Sequence, residues 1–259
     1  MSKRGHRESM DARPRGRLPR LTSDARSPHI CATAQSLRRR ISPDRLGAAP
    51  WLFGVLAASV LLFAKLAEGV AERERLVSVD GEVAASLHAH VNGLLTGAFS
   101  AVTRLGSAQV LVPIILLAIL FLVRRQRRAH AAFVAAALAG SEALNLGLKA
   151  AFARPRPSFA DPLATAAGFA FPSGHAMVSF AVYGALAVVI LSTVKSLSAK
   201  GLVIVSALAL VLAIGASRIY LGVHYFSDVA AGYSAGLAWL VVCALTVFGG
   251  LLAPAPAGE

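Results

Sequence analysis

Charge and cysteine are what this chain has least of. Of its 259 residues 15% are charged and only 13 are acidic, whereas soluble domains carry about 25% charged residues. With 56% hydrophobic residues and a mean hydropathy of +0.64, the composition is that of an integral membrane protein. The two cysteines, Cys31 and Cys243, stand far apart with no CxxC or metal spacing, which argues against a disulfide framework and a thiolate metal site. No carboxylate cluster of the kind that holds Mg²⁺ is visible either. Metal independence and no cofactor are therefore expected.

What is plentiful is basic charge, and its placement is informative. Lys3, Arg4, Arg7, Arg13, Arg15, Arg17, Arg20, Arg26, Arg38, Arg39, Arg40 and Arg45, twelve of the 26 basic residues, all precede the first apolar run. Residues 1–49 also hold Pro14, Pro19, Pro28 and Pro43 and show no apolar periodicity, so they read as a disordered tail. A polybasic tail beside a membrane segment is expected on the cytoplasmic side, near anionic lipid headgroups. A nucleic-acid partner is not expected. The charged region is too long for a cleaved leader, and no small-residue cleavage motif follows, so the first apolar run reads as a retained span.

Hydropathy divides the remainder. Trp51–Val70 is long enough to cross a hydrocarbon core, which takes about 20 residues. Glu72–Asp80 reads as charged and exposed, and Gly81–Gly106 as an interfacial helix in the first extracytoplasmic loop. Ser107–Val123, Ala129–Ala150, Ala176–Val194, Gly201–Gly215 and Val229–Leu252 complete six spans. The fold class is thus all-α: a six-span bundle over residues 50–252, with a short C-terminal tail at 253–259. The tail, Arg124–Arg128 and Lys195–Lys200 become cytoplasmic by the positive-inside rule. Both termini then lie inside, and three polar islands emerge together on the extracytoplasmic face, as in a bacterial cytoplasmic membrane protein.

Those islands are Lys149-x6-Arg156-Pro157, Pro172-Ser173-Gly174-His175 and Ser217-Arg218-x5-His224-x3-Asp228. Lys149, Arg156 and Arg218 supply three cations, and a guanidinium grips a phosphate in two places at once. The Ser173 hydroxyl and the Gly174 backbone N–H add neutral donors, with Gly174 at a helix N-terminus that favours anions. His224 and Asp228 are four residues apart, so on a helix the carboxylate holds the imidazole. Transferring phosphoryl groups carry spread negative charge, which such a set stabilises. Taken singly, the cations read equally well as interfacial anchors, the histidines as structural and Asp228 as a helix cap. Their order, spacing and common face favour a composite site.

In order and spacing the three motifs resemble those of the type 2 phosphatidic acid phosphatase superfamily, which also includes glucose-6-phosphatase and the vanadium haloperoxidases. The resemblance covers Lys149–Asp228, extends through the six-span layout, and leaves the basic tail outside. It implies a membrane lipid phosphatase acting on a phosphomonoester or pyrophosphate, such as phosphatidic acid, phosphatidylglycerol phosphate or a polyprenyl diphosphate. It further implies that His224 is a nucleophile forming a phosphohistidine, that Asp228 fixes its tautomer, and that His175 serves as acid and then base. Two alternatives stay open: a phosphotransferase to a lipid or sugar acceptor, and a non-catalytic lipid-binding or transport protein. Haloperoxidases of this kind are soluble, unlike this chain. Arg154 competes with Arg156 as a tandem Arg-Pro pair, but only Arg156 has the family spacing from Lys149. Glu142, Asn145, His88 and His90 receive no role; an interhelix hydrogen bond is as good a reading of Glu142 and Asn145.

Overall fold

A computed structural model of the chain describes residues 48–72 and 75–248. The tails read over 1–49 and 253–259 fall outside the described residues, apart from Ala48 and Ala49, which open the first helix. The helices are α1 (Ala48–Ala71), α2 (Arg75–Ala89), α3 (Gly93–Arg104), α4 (Ala108–Arg124), α5 (Arg128–Phe152), α6 (Gly174–Leu191), α7 (Leu197–Tyr220) and α8 (Phe226–Phe248). Among the described residues there is no strand. Among the described residues six stretches are long and apolar enough to cross a membrane: Pro50–Ala71, Gly93–Arg124, Arg128–Phe152, Gly174–Leu191, Leu197–Tyr220 and Phe226–Phe248.

The boundaries differ from the hydropathy reading where side chains are buried in protein. The stretch over 81–106 is two helices. Asn92 breaks it, because its side-chain carbonyl accepts the Leu95 N–H at 2.9 Å and so starts α3 afresh. The first part belongs to α2, which is not among the apolar spans; the second joins α4 in the apolar stretch Gly93–Arg124. Likewise α7 runs on to Tyr220, carrying Arg218 in its last turn, and α8 begins at Phe226, carrying Asp228 in its first. Both polar side chains lie inside the bundle, so average hydropathy ends those helices too early.

α8 is the hub, packing against α1, α5 and α6 and more lightly on α2 and α7. Lipid tails are as apolar as leucine, so helices here associate through close packing and interhelical hydrogen bonds rather than hydrophobic burial. Outward leucines such as Leu61, Leu116, Leu117 and Leu202 are exposed, as lipid-facing residues are, while Leu111, Phe133, Val182 and Cys243 share a buried cluster. Trp239 Nε1 donates to the Ala136 carbonyl of α5 at 3.0 Å, and the Tyr233 hydroxyl to the Val211 carbonyl of α7 at 2.9 Å.

α8 meets α6 backbone to backbone. Gly232 and Gly236 form a G-x3-G stripe, and a Cβ at Gly232 would lie 2.7 Å from the Ser173 carbonyl oxygen. At Gly236 it would lie 2.5 Å from that of Met177. Only glycine lets the two backbones meet here. That contact sets the start of α6 beside the start of α8, at the end of the bundle where the polar islands lie.

Candidate active site

Two connections meet at this end. α5 stops at Ala153, in the left-handed region at φ 44, because Arg154 and Arg156 each precede a proline that disfavours helix. An X-Pro-X-Pro stretch leans toward polyproline II, whose three-residue turn sends residues two apart in different directions. The two arginines accordingly part. The chain returns through residues 157–172 to the start of α6, where the Ser173 N–H donates to the Asp228 carbonyl of α8 at 2.9 Å. The turn 221–225 brings in His224.

His224 is 2% exposed and Asp228 fully buried. Asp228 reaches back to accept the Tyr225 N–H at 2.9 Å, half of a capping box, which sets Oδ2 3.4 Å from His224 Nδ1. On the ring's other side Arg156 Nη1 stands 3.0 Å from Nε2. An arginine has no acceptor, so Nε2 carries the lone pair and Nδ1 carries the hydrogen toward Asp228. This tautomer is the one a nucleophilic or basic Nε2 requires. Burial pushes the imidazole down to about 4, with Asp228 pulling against that shift and Arg156 and Arg218 adding to it.

The structure brings the remaining expected residues to the same place. Arg156 is gripped by carbonyls: Nε donates to Gly168 at 3.0 Å, Nη2 to Ala167 at 2.9 Å and Nη1 to Val223 at 2.7 Å. Burial also lowers its pKa. Lys149, in the last turn of α5, donates to the Phe169 carbonyl at 2.5 Å. Arg218 donates through Nη1 to Thr103 Oγ1 of α3 at 2.8 Å, while its buried Nε has no protein partner. Ser173 Oγ is likewise buried and unpartnered. Two orphaned polar groups in one cationic pocket are what a bound anion would satisfy. Gly174 leaves room for Asn145, whose Oδ1 would stand 2.8 Å from a Cβ there. His175 follows at the start of α6, half-buried and packed by Gly106. A cleft of about 250 Å³ opens at Arg156, walled by Pro157, Phe159, Ala164 and Val223.

Other residues had no part in the sequence reading of the site. Asp80, expected in an exposed charged segment, is 2% exposed. It accepts the Ser227 N–H at 3.0 Å, the Ser227 hydroxyl, and Arg154 Nη2 at 2.9 Å. Arg154, itself buried, also donates through Nη1 to Asp228 Oδ1 at 2.6 Å and to Ser227 Oγ at 2.8 Å. A signal existed: Leu76, Asp80 and Ala84 recur at helical spacing, which puts the carboxylate on the helix's inner face. Asn145 makes an interhelical contact, Nδ2 to Met177 Sδ of α6 at 3.8 Å, and also reaches the Pro172 carbonyl just before that helix at 3.5 Å. Glu142 lies half-buried outside this cluster. His88 pairs with Asp161 at 2.9 Å and stacks on Phe159, 4.0 Å between ring centres, which pins the loop over the cleft. Among the described residues no three His, Cys, Asp or Glu side chains converge as a metal site would need.

Comparison with known proteins agrees with this architecture. The sequence profile of the PAP2 superfamily matches residues 130–250. Phosphatidylglycerophosphatase B of Bacillus subtilis (strain 168) is 33% identical over 148 residues, 57% of this chain and 70% of that one. A crystal structure of a transmembrane PAP2-type phosphatidylglycerolphosphate phosphatase from Bacillus subtilis superposes with a TM-score of 0.67 at 28% identity, covering 73% of this chain and 93% of that one. That of Aquifex aeolicus LpxE gives 0.50 at 26% identity, covering 65% and 93%. With six apolar spans among the described residues and a third of the aligned residues identical across 70% of that relative's length, the chain belongs to the PAP2 superfamily, among its membrane lipid phosphatases.

Proposed function

We propose that this protein hydrolyses a phosphomonoester or pyrophosphate on a lipid at the extracytoplasmic face, through a phosphohistidine on His224. The observation that carries the reading is the His224 tautomer: Nδ1 toward Asp228 and the Nε2 lone pair toward a pocket ringed by Arg156, Arg218 and Lys149. The phosphate oxygens take the donors of those cations, together with Ser173 Oγ, Arg218 Nε and the Gly174 N–H. In accepting from Arg156 Nη1, a phosphoryl oxygen replaces Nε2 and so frees the lone pair for attack.

Nε2 then bonds to phosphorus as the bond to the leaving oxygen breaks, and His175 donates the proton that this oxygen needs. The phosphorylated ring is cationic and is held by Asp228. His175, now neutral, takes a proton from water; the hydroxide attacks phosphorus and the P–N electron pair returns to Nε2. Cations do the charge stabilisation at every stage, so no divalent ion is needed. The arginines at 124–128 and the lysines at 195 and 200 lie at the opposite ends of the helices from this site. That separation supports an extracytoplasmic active face with cytoplasmic termini. A groove of about 640 Å³ between the ends of α1, α2 and α5, walled by Val70, Val77 and Phe152, suits a substrate whose tails stay in lipid. The bacterial relatives named for phosphatidylglycerophosphate support that lipid as one candidate, beside phosphatidic acid and polyprenyl diphosphates.

Phosphate release in detergent with EDTA, from these three lipids, tests the reading with wild type and His224→Ala side by side. Release by wild type alone is expected. Turnover by His224→Ala sinks the nucleophile, abolition by EDTA sinks metal independence, and silence on every lipid turns the reading toward transfer or lipid binding.

A further inference from the structure

The Asp80 carboxylate is out of place for its helix. α2 is not an apolar span, and of its fifteen residues only Asp80 and Ala84 are buried. Yet Asp80 is delivered across 147 positions of sequence to the N-terminus of α8, where it accepts the Ser227 N–H and hydroxyl, and it shares Arg154 with Asp228. A carboxylate so enclosed is costly unless its oxygens are paired, and these are.

The arrangement has a chemical consequence. Arg154 binds Asp228 through Oδ1, which leaves Oδ2 for His224 Nδ1. One guanidinium facing one carboxylate would leave a neutral pair behind the imidazole. With Asp80 on the same guanidinium, two carboxylates share one cation, and a net negative charge remains. The other charged or titratable groups around His224 are cationic or neutral: Arg156 from the loop, Arg218 from α7 and His175 from α6, with Lys149 of α5 beyond them beside Arg156 and Arg218. The negative charge that supports a cationic His224 ring comes from Asp228, backed by Asp80.

We propose that Asp80 is a positioning residue of the reaction: through Arg154 it sets the place and the effective charge of Asp228, and so the readiness of His224. This rests on the nucleophilic reading of His224 given above.

The test uses the full-length chain in detergent with whichever of phosphatidic acid, phosphatidylglycerol phosphate and a polyprenyl diphosphate the wild type hydrolyses fastest. In Asp80→Asn, Arg154 belongs to Asp228 alone, so the imidazolium is less stable and loses its proton more readily. The expected result is a kcat lower by about tenfold, the scale of losses seen when an orienting partner is removed. KM should stay within about twofold of wild type, and the acidic limb of the pH profile should move to lower pH. The double variant Asp80→Asn/Arg154→Gln removes the nearer cation as well, so its limb should move above that of wild type. There the Asp228 carboxylate keeps the Tyr225 N–H and the His224 ring N–H as partners, and whichever of the two variants folds tests the proposal. A purely structural Asp80 would change the yield of folded protein but leave both limbs in place, and that result overturns the proposal. So does an Asp80→Asn enzyme with wild-type kcat and pH profile. A wild type that releases no phosphate sinks the phosphatase reading instead, and is told apart because it concerns no variant.

Discussion

Arg154 and Arg156 differ only in place, and their fates show what a residue's surroundings decide. Spacing from Lys149 selects Arg156, and the structure sets that guanidinium 3.0 Å from His224 Nε2 while Arg154 joins two buried carboxylates. Arg156 holds three carbonyls and the imidazole at once, which a lysine's single ammonium cannot reproduce. Arg156→Lys is therefore expected to lower kcat/KM by about 10²-fold, the scale of losing one oriented donor to developing charge; kinetics within threefold of wild type would contradict it. His224 gives a pH prediction. Its imidazole must be neutral to attack, and burial holds its pKa at about 4 rather than the ordinary 6.5. It thus stays competent as pH falls through 6 and 5, and kcat/KM should begin to drop only near pH 4. A limb of the wild-type profile at 6 to 7 assigned to His224, by its loss or movement in Asp228→Asn, would refute this.

At the scale of helices, the contact that matters is α8 against α6. In the sequence nothing singles out the stripe Gly232-x3-Gly236, because small residues run through several of these helices and nothing local marks which of them meets a partner. The structure shows that a Cβ at 232 meets the backbone of Ser173, which cannot swing aside as a side chain would. Overpacking of this kind costs about 1–3 kcal/mol. Gly232→Ala should lower the unfolding midpoint in detergent by several degrees and also reduce turnover, because it pushes Ser173 and His175 away from Asp228. Gly147→Ala, where a Cβ meets nothing within 4 Å, should leave the midpoint unchanged or higher. Equal losses in both variants would show that helix propensity, not the α6–α8 approach, governs the effect. Hydropathy had placed the helix boundaries without this packing, so it ended α7 before Arg218 and began α8 after Asp228: averaging treats a polar residue as a reason to leave the membrane.

For the whole molecule the open prediction is orientation. Arginines 124–128 and the lysines at 195 and 200 lie opposite the site, so the 157–172 loop should face outward. In a chain with Cys31 and Cys243 replaced, Thr165→Cys should react with an impermeant maleimide on intact cells, and Gln126→Cys only after lysis. The reverse pattern would put the active face in the cytoplasm.

The sequence by itself determined the class of fold, the number of spans and the family the motifs resemble, and it named the cationic and histidine residues proposed for the pocket. Each of these follows from local composition or spacing along one chain. It could not determine that Asp80 reaches Arg154 and Asp228, that Arg218 rests on Thr103, or that α6 and α8 touch backbone to backbone. Those contacts join residues that lie dozens to more than a hundred positions apart. Their partners are chosen by which helix faces which, and that choice is made only when the bundle packs.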